Sequence, residues 1–190
     1  GLVEHPDILI SGNGRLIAVR MTDGRYSLSS IRAERFQARL WLEATGDNAP
    51  RAWPEAVSAD GAMSCDLTGC LYRAGGRTIA LVQDPRALAE DCVPGAIVVS
   101  AVPARRACRA AARVIDRFDL WREGAHALWL KPGGVEVASV RQTRGERLWT
   151  HGPPRRRAPA RKDGGRTAAA GGGEESVSIA GSGRPAGPAP

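Results

Sequence analysis

The sequence predicts an α+β fold that is rich in strands, has short helices, and is followed by a disordered tail. Short apolar runs separated by Gly-containing turns recur through residues 1–150, a pattern typical of antiparallel strands. Helical spacing of apolar residues is confined to a few short segments. The last 40 of the 190 residues hold nine of the 23 glycines and six of the 13 prolines, a composition that cannot bury enough apolar surface to fold. We therefore predict one domain over residues 1–150 and a disordered Gly/Pro/Arg-rich tail over residues 151–190.

The sequence of the first half of the domain predicts three strands and one helix. The strands alternate with polar turns and form a β-meander: Ile8–Ile10, Leu16–Arg20 and Tyr26–Leu28. Ser30 is a suitable N-cap for a helix that runs to Ala44. One broad face of this helix carries its aliphatic and aromatic groups: Ile31, Arg35, Phe36, Arg39, Leu40 and Leu42. Residues 47–63 contain Pro50, Pro54 and Gly61 without a sustained period, and they predict a loop.

The second half predicts a hairpin, a short helix and four more strands. Gly75-Gly76 joins strands Gly69–Ala74 and Thr78–Val82, because glycine tolerates the positive φ angles of tight hairpin turns. Asp84 and Pro85 are suited to the N-cap and the first position of a helix that ends near Cys92. The further strands are Ala96–Ser100, Val114–Asp116, Ala127–Leu130 and Val135–Val140. A basic connection over residues 105–113 and a polar or helical turn over residues 119–123 lie between them.

The charge and the apolar runs exclude several classes of protein. The formal charge is +7, of which +4 lies in residues 151–190, and 25 of the 27 basic residues are Arg. Such a bias toward Arg is typical of a GC-rich genome and is weak evidence for nucleic-acid binding. The longest apolar stretch, Ala96–Val102, has the length of a strand, so no transmembrane segment is predicted. The opening residues also lack the pattern of a signal peptide, and the chain is expected to be part of a longer protein.

The four cysteines form two local pairs, and the sequence leaves two interpretations open. Cys65 and Cys70 flank a four-residue segment with strand-like neighbours, which would place the two sulfurs opposite each other across a hairpin. Cys92 and Cys108 flank the strand at Ala96–Ser100 and could also be joined. Two disulfides would indicate a compartment outside the cytosol, whereas free cysteines would be small buried apolar residues. The spacings do not favour zinc.

Several segments resemble one family of membrane proteins. Residues 69–100, GCLYRAGGRTIALVQDPRALAEDCVPGAIVVS, resemble the second half of a metallo-β-lactamase-like domain, and residues 11–30, SGNGRLIAVRMTDGRYSLSS, resemble its first hairpins. Residues 5–20, HPDILISGNGRLIAVR, resemble the sequence that follows the last membrane helix in shortened members of this family. The most specific segments are CDLTGC, LAEDC and VIDRFDLWREGAHALWL. Together they resemble the C-terminal soluble domain of the ComEC competence family, whose members are implicated in passing single-stranded DNA across the inner membrane. The resemblance covers roughly residues 5–149 and implies a shortened, degenerate metallo-β-lactamase-like domain.

The residues needed for metal-dependent hydrolysis in that fold are missing from this sequence. A metallo-β-lactamase-like hydrolase uses an HxHxDH cluster to hold metals that activate a water, and the three histidines of this chain do not form one. The resemblance leaves Asp84 and His126 as vestigial metal-ligand candidates, and each also has an ordinary structural interpretation, as a helix cap and as a structural or surface histidine. No Gly-x-Ser-x-Gly, Walker or His-Glu-x-x-His motif is present. The sequence therefore favours a non-catalytic domain with no cofactor and no metal.

Two basic clusters provide candidates for contact with nucleic acid. The first consists of arginines around the basic connection: Arg105, Arg106, Arg109, Arg113 and Arg117. The second lies in the predicted tail, at residues 155–157, 161 and 162, and is a candidate for contact with nucleic acid or anionic lipid. The alternatives are a solvated face for the first cluster and a featureless disordered end for the second. The expected partners are the membrane channel portion of the parent protein and single-stranded DNA, on the periplasmic side of the inner membrane. The alternatives are a metal-dependent nuclease or phosphodiesterase with a reduced site, and a purely structural accessory domain.

Overall fold

Two β-sheets packed against each other form the centre of the fold in the computed structural model, which describes residues 4–47 and 49–145. The first sheet contains β1 (Ile8–Ile10), β2 (Ile17–Arg20), β3 (Tyr26–Leu28), β4 (Arg51–Ala52), β10 (His126–Lys131) and β11 (Gly134–Ser139). The second contains β5 (Met63–Cys65), β6 (Gly69–Ala74), β7 (Arg77–Val82), β8 (Ile97–Ser100) and β9 (Arg113–Ile115). The helices are α1 (Arg35–Ala44), α2 (Leu88–Asp91), α3 (Arg117–Glu123) and α4 (Val140–Arg144), with a 3-10 turn at Pro85–Ala87. The predicted strand-rich α+β class is thereby confirmed.

Both sheets combine antiparallel hairpins with parallel strands. In the first sheet the strand order is β11-β10-β1-β2-β3-β4, so the predicted meander β1-β2-β3 is present and only β4 is parallel to its neighbour. In the second sheet the order is β5-β6-β7-β8-β9, and β7, β8 and β9 run parallel. The carboxyl ends of these three strands therefore lie along one edge of the second sheet.

Apolar side chains fill the space between the sheets and cover both outer faces. The inner core combines residues of both sheets, including Ile8, Val19, Ile79 and Val99. Because successive side chains on a strand point to opposite faces, the residues next to these face outward. On the first sheet they pack against α1, and on the second they pack against the residues that surround the 3-10 turn and follow β8.

Helix α1 is shorter than predicted and presents a different face to the protein. It begins at Arg35 because Glu34 adopts a left-handed conformation with φ of +47°, which cannot continue a helix. Ser30, predicted as the N-cap, accepts hydrogen bonds from the amides of Arg32 and Ala33 in the preceding turn.

The residues of α1 that are buried are Ala38 and Leu42. Three members of the predicted apolar face, Ile31, Phe36 and Leu40, are instead exposed. The prediction is wrong for these three residues because apolar side chains with helical spacing can also lie on the exposed side of a helix.

Two elements near the end of the domain and one segment in its first half differ in extent from prediction. The polar or helical turn predicted over residues 119–123 is the end of helix α3, which begins earlier, at Arg117, behind an Asp116 N-cap. The last strand ends at Ser139, which caps the unpredicted helix α4. The segment predicted as loop over residues 47–63 includes the two-residue strand β4. The predicted tail, residues 151–190, lies outside the described residues.

Within residues 4–47 and 49–145, no helix is both long and apolar enough to cross a bilayer.

Candidate functional site

The loop over residues 101–112 connects the parallel strands β8 and β9, so it begins at the edge where the three parallel strands end and returns to the opposite edge, where the amide of Ala112 donates to the carbonyl oxygen of Ala96. It follows β8, and the neighbouring strands β7 and β9 end beside it at Val82 and Ile115. The turn between β1 and β2 packs against it as well. Gly14 has φ of +73°, and a Cβ at this position would lie 3.2 Å from the Cα of Ala101. The β1–β2 turn therefore needs glycine to approach the loop this closely.

Asp116 holds the beginning of this loop. Its carboxylate is 1% exposed and accepts hydrogen bonds from the amides of Ala104 at 3.2 Å and Arg105 at 3.3 Å. The same carboxylate caps α3 by accepting from the amide of Phe118 at 3.0 Å. A buried carboxylate is stable only when such donors satisfy it. Asp116 therefore fixes the loop and the start of α3 relative to each other.

Asp119 ties an arginine of the loop to α3. One carboxylate oxygen pairs with the guanidinium groups of Arg105 and, at 2.9 Å, of Arg122. The other oxygen accepts from the amide of Asp116 at 3.1 Å, which completes a capping box. Burial raises the pKa of the Asp119 carboxyl, but the Asp116 amide and Arg105 outweigh burial and leave this pKa below its usual value.

The lowered pKa of Asp119 predicts an acid dependence of stability. A carboxyl whose pKa is lower in the folded state stabilises the fold above its unfolded value, which is 3.8 here. That contribution is lost as the pH falls through the folded pKa. We expect the free energy of unfolding of Asp119→Asn to change less with pH below 3.8 than that of the parent chain, as measured by urea unfolding at several pH values. Parallel curves for the two proteins would contradict this expectation.

Arginine and aromatic side chains meet beside the loop. A depression of about 470 Å³ is lined by Pro103, Arg105, Arg106, Asp116 and Phe118. The Phe118 side chain is 49% exposed, and Trp121 on the same helix is 66% exposed. Aromatic faces left in water next to guanidinium groups can stack on unpaired bases, and the guanidinium groups can pair with phosphates. The arrangement is therefore suited to a single-stranded nucleic acid.

The structure divides the five predicted arginines into different roles. Arg105 and Arg106 line the depression, but Arg105 is held by Asp119 and so acts first as part of the scaffold. Arg109 is exposed on the loop, Arg113 is exposed at the start of β9, and Arg117 is exposed at the start of α3. Among the described residues, only Arg105 of the five has an ion pair. Arg106 is therefore the arginine that combines a place in the depression with an unpaired guanidinium.

Phe118 and Trp121 are not among the site residues that the sequence predicted. The signal that could have identified them is the Asp-x-x-Asp pattern at residues 116–119, which marks the start of a helix. On a helix that begins there, Leu120 faces the core and Phe118 and Trp121 face away from it. The structure has Leu120 buried and both aromatics exposed.

Asp84 and His126, the vestigial metal-ligand candidates, are both engaged locally. The Asp84 carboxylate caps the 3-10 turn and pairs with Arg86 at 3.0 Å. His126 is buried at the start of β10, where its Nδ1 lies 2.8 Å from the carbonyl oxygen of Gly124. The two residues belong to segments of different sheets. Within residues 4–47 and 49–145, no three His, Cys, Asp or Glu side chains are grouped so as to hold a metal ion.

All four cysteines are joined, in the two local pairs that the sequence suggested. Cys65 and Cys70 are direct partners across the β5–β6 hairpin and form one disulfide. Cys92, at the end of α2, is joined to Cys108, which is buried in the loop over residues 101–112. The second disulfide therefore holds the middle of the loop, whereas Asp116 holds its beginning.

Comparison of the chain with protein-family models, with curated proteins and with solved structures finds no match in any of the three.

Proposed function

We propose that this chain is the non-catalytic C-terminal soluble domain of a ComEC-like competence protein and assists the passage of single-stranded DNA through the membrane channel of its parent. In this proposal, the domain contacts the DNA strand at the depression beside the loop over residues 101–112. The fold is then a shortened metallo-β-lactamase-like domain in which the metal site has been lost. Two observations support this proposal. One is the sequence resemblance of several segments to the family, and the other is the geometry of the depression.

Of the segments that most specifically resemble the family, one contributes residues to the depression. CDLTGC forms the bridged β5–β6 turn, LAEDC forms the end of α2 with its bridge to the loop, and VIDRFDLWREGAHALWL runs from β9 through α3 into β10. The last of these segments supplies Asp116, Phe118 and Asp119. The family resemblance and the candidate DNA contact thus share Asp116 and Phe118, whereas Pro103, Arg105 and Arg106 lie outside these segments.

The observation that carries the DNA contact is the exposure of Phe118 beside Arg106. A folded domain gains little from leaving a large aromatic ring half in water. An aromatic ring can stack on a base and an unpaired guanidinium can pair with a phosphate, so the two side chains together could bind one nucleotide. The acidic residues nearest to the depression are already neutralised, because Asp119 pairs with arginines and Asp116 is buried among amides. Their charges therefore repel an approaching phosphate only weakly.

The two disulfides support a location outside the cytosol. Disulfides persist in oxidising compartments such as the bacterial periplasm and are rare in the cytosol. A periplasmic domain next to the channel would meet DNA before or during its entry.

A DNA-binding measurement with paired variants tests the proposal. The probe is a fluorescent oligothymidylate, titrated with the full chain at several salt concentrations and followed by anisotropy. We expect Phe118→Ala to weaken binding about tenfold through lost stacking, and Arg106→Ala to reduce the salt dependence by about one phosphate contact. Phe36→Ala and Arg73→Ala are matched controls, because both side chains are exposed elsewhere on the domain, and each should change the affinity less than about twofold.

Two results would overturn the proposal. Equal losses in Phe118→Ala and Phe36→Ala would mean that binding does not occur at the depression. Cleavage of the oligonucleotide on addition of Zn²⁺ or Mn²⁺, abolished by Asp84→Asn, would replace it with the nuclease alternative. All variants keep the basic residues of the predicted tail, so any contribution of the tail to affinity is the same in each comparison.

A further inference from the structure

The outer surface of α1 exposes large apolar side chains. The Phe36 ring is 76% exposed and Leu40, one helical turn later, is 44% exposed. Residues four apart lie on the same side of a helix, so these two side chains form one apolar ridge. The opposite side of the helix, with Ala38 and Leu42, is buried against the first sheet. The ridge therefore lies on the side of α1 that faces away from the protein.

Arginines flank this ridge, and the neighbouring acidic groups leave an excess of positive charge. Arg32, Arg35 and Arg39 are exposed in and just before α1. Arg39 pairs with Glu43 at 2.6 Å, and Asp47 is buried and paired with Arg25 at 2.7 Å. Within the described residues, Arg32 and Arg35 have no ion pair. Glu34, between Arg32 and Arg35, is the neighbouring carboxylate without an ion pair among the described residues, so the two guanidinium groups leave an excess of one positive charge beside the apolar ridge.

We propose that this face of α1 docks the domain on the surface of an anionic phospholipid bilayer. Phe and Leu side chains can enter the boundary between headgroups and acyl chains, while Arg side chains keep their guanidinium groups at the phosphates. An anionic surface complements the excess charge of Arg32 and Arg35. A second copy of this chain would instead bring the same arginines toward each other, which charge repulsion opposes. The apolar ridge and the charges of the arginines therefore both favour an anionic lipid surface as the binding partner of this face of α1.

This inference is separate from the proposed DNA contact. The lipid face consists of residues of α1 and the turn before it, whereas the depression belongs to the loop over residues 101–112 and to α3. A variant in one surface leaves the other intact, so each proposal can fail without the other.

Vesicle co-sedimentation of the full chain tests the lipid face. The vesicles contain equimolar phosphatidylcholine and phosphatidylglycerol, and pure phosphatidylcholine vesicles serve as the neutral comparison. We expect the parent chain to partition onto the anionic vesicles. Compared with the parent chain, Phe36→Asp should partition at least about tenfold more weakly and Arg35→Ala about fivefold more weakly. Leu67→Asp is the matched control, because Leu67 is 98% exposed on the β5–β6 turn and the substitution makes the same change in charge. It should alter partitioning less than about twofold.

Three outcomes would overturn the inference. The first is partitioning of the parent chain that is equal on neutral and anionic vesicles, or absent from both. The second is an equal loss in Phe36→Asp and Leu67→Asp, which would assign binding to the overall charge or to the basic residues near the C-terminus. The third is a change of oligomeric state in Phe36→Asp without lipid, measured by analytical ultracentrifugation, which would assign the ridge to a second copy. Oligonucleotide affinity of Phe36→Asp should equal that of the parent chain, which separates the lipid test from the DNA test.

Discussion

Replacing Asp116 by alanine is expected to destabilise the domain by about 4 kcal/mol. The substitution removes the acceptor for three backbone amides, those of Ala104, Arg105 and Phe118. Hydrogen bonds to a charged acceptor are stronger than neutral ones, and an amide left buried without an acceptor costs its full desolvation. Urea unfolding followed by circular dichroism measures the loss.

Two further variants keep this expectation testable if Asp116→Ala does not fold. Asp116→Asn retains one acceptor oxygen and should lose less stability than the alanine variant. Asp84→Ala removes another N-cap carboxylate, but this one caps the exposed 3-10 turn and accepts from the single amide of Arg86. Its loss should be much smaller than that of either Asp116 variant. Similar losses for Asp84→Ala and Asp116→Ala would mean that Asp116 acts only as a cap and does not hold the loop.

The local features of the fold were predictable because their causes lie within a few residues. Gly75 and Gly76 both have positive φ, as a two-residue hairpin turn requires, and the strands on either side pair as predicted. Cys65 and Cys70 are cross-strand partners, so the spacing alone brought their sulfurs together.

The pairing of distant strands was beyond the reach of local patterns. Strand β1 lies between β2 and β10, so Ile8 pairs with Leu128 from the other end of the domain. From its own residues, any strand with one or two apolar faces could pair with β1 in the position that β10 occupies. Only the packing of the complete domain determines which strand does so. The same holds for the parallel order of β7, β8 and β9, which brings the ends of three separate segments to one edge.

The sequence could indicate that the arginines of the basic connection lie at the surface, but not which of them line the depression. The arginines of the basic connection do lie at the surface, yet charge alone could not show that Arg105 is held by Asp119 and that Arg106 is unpaired. Asp116 and Asp119 fix the start of α3, and that geometry turns Phe118 toward the arginines and Leu120 toward the core.

Removing the disulfide between Cys92 and Cys108 is expected to cost about 3 kcal/mol of stability, because the bond closes a loop between residues 16 apart. The matched variant without the bond between Cys65 and Cys70, residues five apart, should lose about 2 kcal/mol. Both are made as double Cys→Ala variants and compared by urea unfolding. Thiol titration of the parent chain, denatured without reductant, should find no free thiol.

The two disulfide variants should differ more in DNA binding than in stability. Cys108 is buried within the loop that carries Arg105 and Arg106, whereas Cys65 and Cys70 lie on a hairpin at the edge of the second sheet opposite to β9. Loss of the Cys92–Cys108 bond leaves the loop held at its beginning by Asp116 and at its end by the backbone hydrogen bonds of Ala110 and Ala112, so the middle of the loop, which follows Arg105 and Arg106, must be ordered when a strand binds. We expect weaker oligothymidylate binding in this variant and unchanged binding in the Cys65/Cys70 variant at a temperature where both are folded. Equal affinities would show that Asp116 and Asp119 alone position the arginines, and the disulfide would then serve stability only.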